Sequence, residues 1–135
     1  MKMNRYSYFL CLFFLIVLGC SAETLSDGED IDTFVDRLIT GSDVMVFAKS
    51  YCGYCRHARN LLRDLHKEHN KAWTLNILDL DEMMEDDGPL VQMELMMRTG
   101  QRTVPSIFIH GRHVGGDSDL TNLYSSGELT KMLKK

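Results

Sequence analysis

The sequence predicts an α/β domain in which helices cover both faces of a small mixed sheet. Short apolar runs typical of strands alternate with longer stretches whose apolar residues recur at helical spacing. In chain order these elements run αβαβαββα, where the last α stands for two short closing helices. The 135 residues, 44% hydrophobic and 25% charged, are enough for one domain with one hydrophobic core.

The first half of the domain is predicted to contain two helices and two strands. A helix begins near Ile31 and ends at Gly41, because its apolar residues recur at helical spacing and glycine favours a helix end. An apolar strand at 44–48, a helix at about 53–69 and a strand at 73–78 follow. Because a helix crosses between the two strands, they are expected to be parallel.

The second half is predicted to contain an acidic loop, a third helix, a hairpin and two short closing helices. The hairpin turn falls at His110-Gly111, and its strands complete a four-stranded mixed sheet. The loop covers 83–89, and the third helix covers 90–98 and ends at Gly100. The hairpin pairs 107–109 with 112–114, and the closing helices cover 119–124 and 127–133.

The N-terminal segment, residues 1–22, differs in composition from the rest of the chain. Lys2 and Arg5 form a basic start, 9–19 is continuously apolar, and three small residues end at Ala22. This pattern predicts a secretory signal peptide cleaved after Ala22, and therefore a protein of the endoplasmic reticulum or Golgi lumen, or a secreted one. The alternative is an uncleaved membrane anchor, although a spanning helix needs about 20 apolar residues.

Removal of that segment changes the charge and the thiol content. It takes the net charge from −4 to −6, with 13 Lys and Arg against 19 Asp and Glu, which disfavours a nucleic-acid partner. Of the four cysteines only Cys52 and Cys55 remain, too few for a disulfide framework or a four-cysteine zinc site. Residues 23–29 are polar and are interpreted as a linker, so the folded domain is expected to span 30–135.

Cys52 and Cys55 lie one helical turn apart at the start of a predicted helix, directly after a strand. Residues i and i+3 of a helix are about 5–6 Å apart, the separation that a disulfide needs. The helix N-terminus favours an anion by only about 0.3–1 kcal/mol, so Lys49 and the N–H groups of Tyr54 and Cys55 are expected to help stabilise a Cys52 thiolate. We predict a redox pair with Cys52 as nucleophile and Cys55 as resolving thiol. The alternatives are a structural disulfide, two thiols buried as small apolar residues, or a metal half-site with His57.

A second motif, Gly-Gln-Arg-Thr-Val-Pro, ends at Pro105 before the third predicted strand. The residue before a proline is extended, so Val104 is expected to present its N–H and C=O outward. About 5–6% of X-Pro bonds in folded proteins are cis, which by itself favours a trans Val104-Pro105 bond.

A third motif, Gly-Gly-Asp-Ser-Asp-Leu, follows the last predicted strand. Its two glycines permit a tight turn, and Ser118 or Asp117 is predicted to cap the next helix. Free N–H groups at a helix start can also bind a carboxylate, and Asp119 could pair with an ammonium group. Both roles are compatible with one turn.

Together the three motifs resemble those of a dithiol glutaredoxin, over residues 30–133. The resemblance implies a thioredoxin-like three-layer α/β/α fold, a cis Pro105 and a groove for glutathione as co-substrate. It places Lys49 and Gln101 near the glycine carboxylate of glutathione, Val104 against the cysteinyl backbone, and Ser118 and Asp119 at the γ-glutamyl end. The residues expected to bind glutathione are Lys49, Tyr54, Gln101, Thr103, Val104, Pro105, Gly116, Ser118 and Asp119.

The resemblance implies an enzyme that reduces protein–glutathione mixed disulfides and protein disulfides, acting as a monomer on glutathionylated or disulfide-containing proteins. The chain departs from the family at Gly53, where many members have proline. Some members without that proline bridge a [2Fe–2S] cluster between two subunits. An iron–sulfur scaffold or carrier that uses Cys52 and glutathione, in a cluster-bridged dimer, is therefore one alternative. A thiol oxidant of the secretory pathway is the other.

Overall fold

The computed structural model describes residues 23–84 and 86–134, so the predicted signal segment lies outside the described residues. None of the helices in these two ranges is long and apolar enough to cross a membrane. The elements are α1 (Ile31–Thr40), β1 (Val44–Ala48), α2 (Gly53–Glu68), β2 (Leu75–Asp79), a 3-10 helix (Leu80–Glu82), α3 (Asp87–Thr99), β3 (Ser106–Ile109), β4 (Arg112–Gly115), α4 (Asp117–Ser125) and α5 (Glu128–Leu133).

The four strands form one mixed sheet in the order β2-β1-β3-β4. β1 is parallel to β2 and antiparallel to β3, with Val44 opposite Leu75 on one side and Ile109 on the other. β3 and β4 form the predicted hairpin, and both turn residues, His110 and Gly111, have positive φ. That backbone suits a two-residue hairpin turn, because its twist matches the twist of the strands.

Alternate side chains of β1 point to opposite faces of the sheet, and all five are buried. Val44 and Val46 belong to a cluster with Leu62 of α2 and Leu120 of α4. Met45 and Phe47 belong to a second cluster, which contains the buried residues Val35 of α1 and Val91 and Leu95 of α3. Helices therefore cover both faces of the sheet, which confirms the predicted three-layer α/β/α arrangement.

Arg98 ties α3 to α1 on one outer face of the molecule. Its guanidinium donates to the carboxylates of Asp32 and Asp36 in α1 and, at 2.5 Å, to Glu94 in its own helix. Burial lowers the pKa of Arg98, but the hydrogen bonds and charges of Glu94 and Asp36 outweigh it and raise the pKa overall. Arg98 thus remains charged and fixes the relative position of the two helices.

The segment interpreted as a linker packs onto the domain. Thr24 forms a bridge with Asp30, and Leu25 is buried in the α1/α3 cluster. The backbone N–H and the hydroxyl of Ser26 both donate to Asp87, at 2.9 and 2.8 Å. The polar composition predicted a short linker, and Leu25 and these hydrogen bonds hold that segment against α3.

The starts of α3 and β2 differ from the sequence prediction. α3 begins at Asp87 rather than Leu90. Gly88 permits this, since a Cβ there would lie 2.0 Å from the Leu80 carbonyl oxygen, and proline is tolerated in the first helical turn. β2 begins at Leu75 rather than residue 73, because Trp73 is buried beside the His66 ring, at 4.7 Å between centroids.

Candidate active site

Cys52 lies at the N-cap of α2, just beyond the loop that follows β1. Its Sγ accepts the backbone N–H of Cys55 at 3.2 Å, and its own N–H donates to the Lys49 carbonyl at 3.1 Å. The side chain is partly exposed and is a free thiol. A helix N-terminus presents unpaired N–H groups and a positive dipole end, and the Cys52 side chain lies against them.

Cys55 differs from Cys52 in its surroundings, although the two are one turn apart. It is a free thiol with no exposed surface. Burial, followed by its hydrogen bond with Cys52, raises the pKa of Cys55 to about 12. At neutral pH Cys55 is therefore a protonated thiol inside the protein, while Cys52 is accessible at the surface. The predicted division between nucleophile and resolving thiol fits this asymmetry.

Asp81 anchors the loop that carries the first cysteine. Ser50 donates both its backbone N–H, at 2.8 Å, and its hydroxyl to the Asp81 carboxylate in the 3-10 helix. These hydrogen bonds lower the pKa of Asp81, with a smaller contribution from the charge of Lys49. The sequence analysis missed Asp81, because 31 residues separate it from Ser50 and no local pattern connects them.

The Val104-Pro105 bond is cis, as the family resemblance implies and against the general preference for trans. The Val104 carbonyl oxygen lies 3.8 Å from the Cys52 Sγ. The side-chain amide of Gln101 donates to the carbonyls of Thr103, at 2.8 Å, and Pro105, at 2.7 Å. Both N–H groups of Gln101 are thus used within this loop, so Gln101 braces the loop beside the cysteine.

The start of α4 is capped differently from the prediction. Gly116 is the N-cap, and the Asp119 Oδ2 accepts its N–H at 2.9 Å. The predicted cap, Ser118 or Asp117, is wrong, because both residues lie inside the first turn and Asp119 occupies the third helical position, where a side chain reaches back to the N-cap. Gly115 has φ +117°, and a Cβ there would lie 2.2 Å from the Asp119 Oδ2.

Asp117 makes a contact between helices that the sequence analysis did not predict. Its Oδ1 lies 2.7 Å from the His57 Nδ1 of α2. Asp117 was considered only as a cap and His57 only as a metal ligand in a half-site. Nothing in either local pattern connects two residues that are 60 positions apart. In the described ranges, no group of three or more His, Cys, Asp or Glu residues could hold a metal ion.

A groove of about 400 Å³ opens beside the cysteine pair. It is formed by the start of α2, the Gln101–Pro105 loop and the start of α4, and Val104 places it next to the Cys52 sulfur. The structure brings together every predicted glutathione-binding residue except Lys49 and adds Asp117. The lining residues are Tyr54, Gln101, Thr103, Val104, Pro105, Gly116, Asp117, Ser118 and Asp119.

Comparison with known proteins agrees with this geometry. The family model described as Glutaredoxin matches residues 44–114. The sequence is 39% identical to Glutaredoxin-C4 of Arabidopsis thaliana over 133 residues, which are 98% of this chain and 93% of the relative. The chain belongs to the glutaredoxin family. It is also 35% identical to Glutaredoxin-C8 of Oryza sativa subsp. japonica, over 88% of this chain and 83% of the relative.

Solved glutaredoxin structures share the fold. The buckwheat glutaredoxin–glutathione complex superposes with a TM-score of 0.67 and 34% identity, over 76% of this chain and 86% of that one. The holo form of glutaredoxin C1 from Populus tremula x tremuloides superposes with a TM-score of 0.69 and 30% identity, over 78% and 97%. These similarities confirm the predicted thioredoxin-like fold and identify this glutaredoxin as a thiol–disulfide oxidoreductase.

Proposed function

We propose that this glutaredoxin reduces protein–glutathione mixed disulfides by a monothiol mechanism at Cys52. The observation that carries the proposal is the position of the Cys52 sulfur, 3.8 Å from the carbonyl of Val104, a residue that also lines the groove. A glutathione moiety in the groove would therefore present its sulfur to Cys52. That one of the similar structures is a glutaredoxin–glutathione complex supports glutathione as the ligand.

In the first step the Cys52 thiolate attacks the glutathione sulfur of the mixed disulfide. The S–S bond to the substrate protein breaks, the substrate sulfur leaves as a thiolate and takes up a proton, and a disulfide forms between Cys52 and glutathione. The Cys55 N–H, which points at the Cys52 Sγ, stabilises the thiolate before attack.

In the second step a free glutathione thiolate attacks the glutathione sulfur bound to Cys52. Glutathione disulfide leaves, and Cys52 returns to the thiolate. One free glutathione is consumed as the reductant, and the other half of the glutathione disulfide comes from the substrate mixed disulfide. Cys55 takes no part in this cycle. For protein disulfides we propose that Cys55 attacks the mixed disulfide on Cys52, which requires the loss of a proton that its buried position disfavours.

The groove supplies selectivity, because it holds glutathione and leaves the substrate protein outside. We propose that Val104 pairs with the cysteinyl backbone and that Ser118 and Asp119 hold the γ-glutamyl end. We keep Lys49 as the candidate for the glycine carboxylate, on the basis of the family resemblance. The resemblance implies that Gln101 contacts the glycine carboxylate. We propose instead that Gln101 braces the loop, since its amide already donates to two loop carbonyls.

A kinetic comparison tests the proposal. The same peptide is capped with glutathione or with free cysteine, and reduction is followed with glutathione as the reductant. We expect kcat/KM to be much larger for the glutathione-capped peptide, because only that substrate fills the groove. Equal kcat/KM values for the two caps would contradict a glutathione-specific site. Cys52→Ser is the control for thiol chemistry, and it should be inactive on both.

An iron–sulfur scaffold is the second candidate, and the open position of Gly53 favours it. Nothing lies within 4 Å of a Cβ built at Gly53, so the start of α2 is uncrowded. A [2Fe–2S] cluster needs four thiolates, and among the described residues Cys52 is the one accessible thiol, so two subunits and two glutathiones would share it. Reconstitution with iron and sulfide tests this candidate. A cluster-bridged protein should gain visible absorption and become a dimer, and absence of either would contradict the scaffold.

We further propose that the protein acts in the secretory pathway, on the basis of the N-terminal sequence pattern. N-terminal sequencing from native cells should then begin near Glu23, whereas an intact N-terminus on a membrane-bound form would favour an anchor. The reduction potential of the Cys52–Cys55 pair tests whether the protein reduces or oxidises its substrates. A value of about −200 to −230 mV is usual for glutaredoxins, and about −180 mV would favour a thiol oxidant.

A further inference from the structure

We propose that the His57–Asp117 pair is a positioning device that holds the start of α4 at the correct distance from Cys52. This inference rests on the proposed function, because it concerns how the groove accommodates glutathione. The pair joins the helix that carries the reactive thiol to the helix that forms the far end of the groove. Neither residue takes part in the sulfur chemistry.

The pair lies where the two helices meet beside the groove. His57 is five residues after Cys52 in α2, and Asp117 is the first residue of α4. Their side chains approach to 2.7 Å, with Asp117 13% exposed and His57 59% exposed. The carboxylate is therefore largely withdrawn from solvent and directed at α2, although Asp117 also lines the groove.

The capping of α4 explains why Asp117 is available for this contact. Asp119 accepts the N–H of the N-cap residue Gly116, whereas the Asp117 carboxylate is directed at His57. After Asp117, the first turn contains Ser118 and Asp119, which are proposed to hold the γ-glutamyl end of glutathione. One glutathione must contact both this turn and the Cys52 sulfur. A shift of the turn relative to α2 would therefore prevent the ligand from making its γ-glutamyl contacts while its sulfur lies at Cys52.

Loss of the pair should therefore weaken glutathione recognition without slowing the chemistry. His57→Ala and Asp117→Ala should each raise the KM for a glutathionylated peptide by about threefold to tenfold, the range for one hydrogen bond at a partly exposed site. The kcat and the alkylation rate of Cys52 should stay unchanged. The double variant should resemble the single variants, because each one already removes the whole interaction.

Two further variants separate positioning from other roles. His57→Asn keeps an N–H donor close to the position of Nδ1 and should restore most of the KM. His110→Ala is the matched control for His57→Ala, because His110 also contacts an aspartate, Asp43 at 3.3 Å, in the turn that joins β3 and β4. Its KM should equal that of the unmodified protein at a temperature where every variant is folded.

The outcomes are distinguishable. A raised KM for Asp117→Ala alone would make Asp117 a direct ligand and would overturn the positioning role of the pair. An equal rise for His110→Ala would mean general loosening of the fold and would also overturn it. If the unmodified protein fails to prefer the glutathione-capped peptide over the cysteine-capped one, the proposed function fails first, and the inference falls with it.

Discussion

The Asp119 Oδ2 accepts the backbone N–H of Gly116 at 2.9 Å, so a residue expected to bind glutathione also closes the first turn of α4. The two roles share one carboxylate. The sequence motif suggested that Ser118 or Asp117 would cap the helix and leave Asp119 free for the ligand. In the structure, loss of Asp119 would leave the Gly116 N–H without its acceptor.

We therefore predict that Asp119→Ala lowers stability and weakens glutathione binding together. Loss of the cap should cost about 0.5–2 kcal/mol of the free energy of unfolding. Loss of a charge-assisted ligand contact should raise the KM by about 10–100-fold. Thermal melts and steady-state kinetics measure the two effects. Asp119→Asn keeps an acceptor for Gly116 but lacks the charge, so it should recover stability and not the KM. Recovery of both would exclude a charge contact with glutathione.

A second prediction concerns the Ser50–Asp81 anchor. Asp81→Ala should lower kcat/KM, because the loop between β1 and Cys52 loses two hydrogen bonds to the carboxylate. The pKa of Asp81 is lowered in the folded protein. Its contribution to stability is therefore present above the ordinary aspartate pKa, about 3.9, and is lost as the pH falls below it. Denaturant titrations should show unmodified and variant proteins converging in acid. A constant gap down to the lowest pH would contradict the anchor.

The two cysteines should differ sharply in alkylation. Because the pKa of Cys55 is raised to about 12, iodoacetamide at pH 8 should label Cys52 and not Cys55 in the folded domain, as measured by peptide mass spectrometry. In Cys52→Ser, Cys55 should remain unlabelled under the same conditions. A raised folded pKa also means that stability is constant below the ordinary cysteine pKa and declines as the pH rises from there toward about 12. Equal labelling of both thiols at pH 8 would contradict the assigned asymmetry.

Gly88 should be sensitive to substitution. A Cβ at Gly88 would lie 2.0 Å from the Leu80 carbonyl oxygen, so Gly88→Ala must push α3 away from the 3-10 helix. We expect destabilisation of about 1–3 kcal/mol, typical of overpacking, with the redox activity of the remaining folded protein intact. Gly53→Ala is the control, because open space surrounds that position and it should not be destabilising. A neutral Gly88→Ala would show that the two helices separate easily.

Local patterns were sufficient to predict much of this fold. The β1 run is apolar throughout because both faces are covered, and the His110-Gly111 turn was recognisable from its residue types. The predicted element boundaries were less accurate where tertiary packing determines the first residue of a helix or strand. α3 starts early because Gly88 fits against Leu80, and Trp73 leaves the strand to pack beside His66.

The site was predictable where its residues lie in short motifs, and less so where they meet only in space. The cysteine pair, the proline loop and the double-glycine turn were each recognisable in sequence. The supporting contacts were not, because they join residues far apart in the chain, as Asp81 joins Ser50 and His57 joins Asp117. The bracing role of Gln101 depends on the direction of its amide, which sequence alone does not determine.

The central claim, that Cys52 takes glutathione and leaves the substrate protein free, is tested most directly by trapping the intermediate. Cys55→Ser is mixed with a glutathionylated peptide in the absence of free glutathione, quenched in acid and analysed by intact mass and peptide mapping. The account predicts glutathione bound to Cys52 and release of the reduced peptide. A peptide disulfide-bonded to Cys52, with glutathione released, would contradict it.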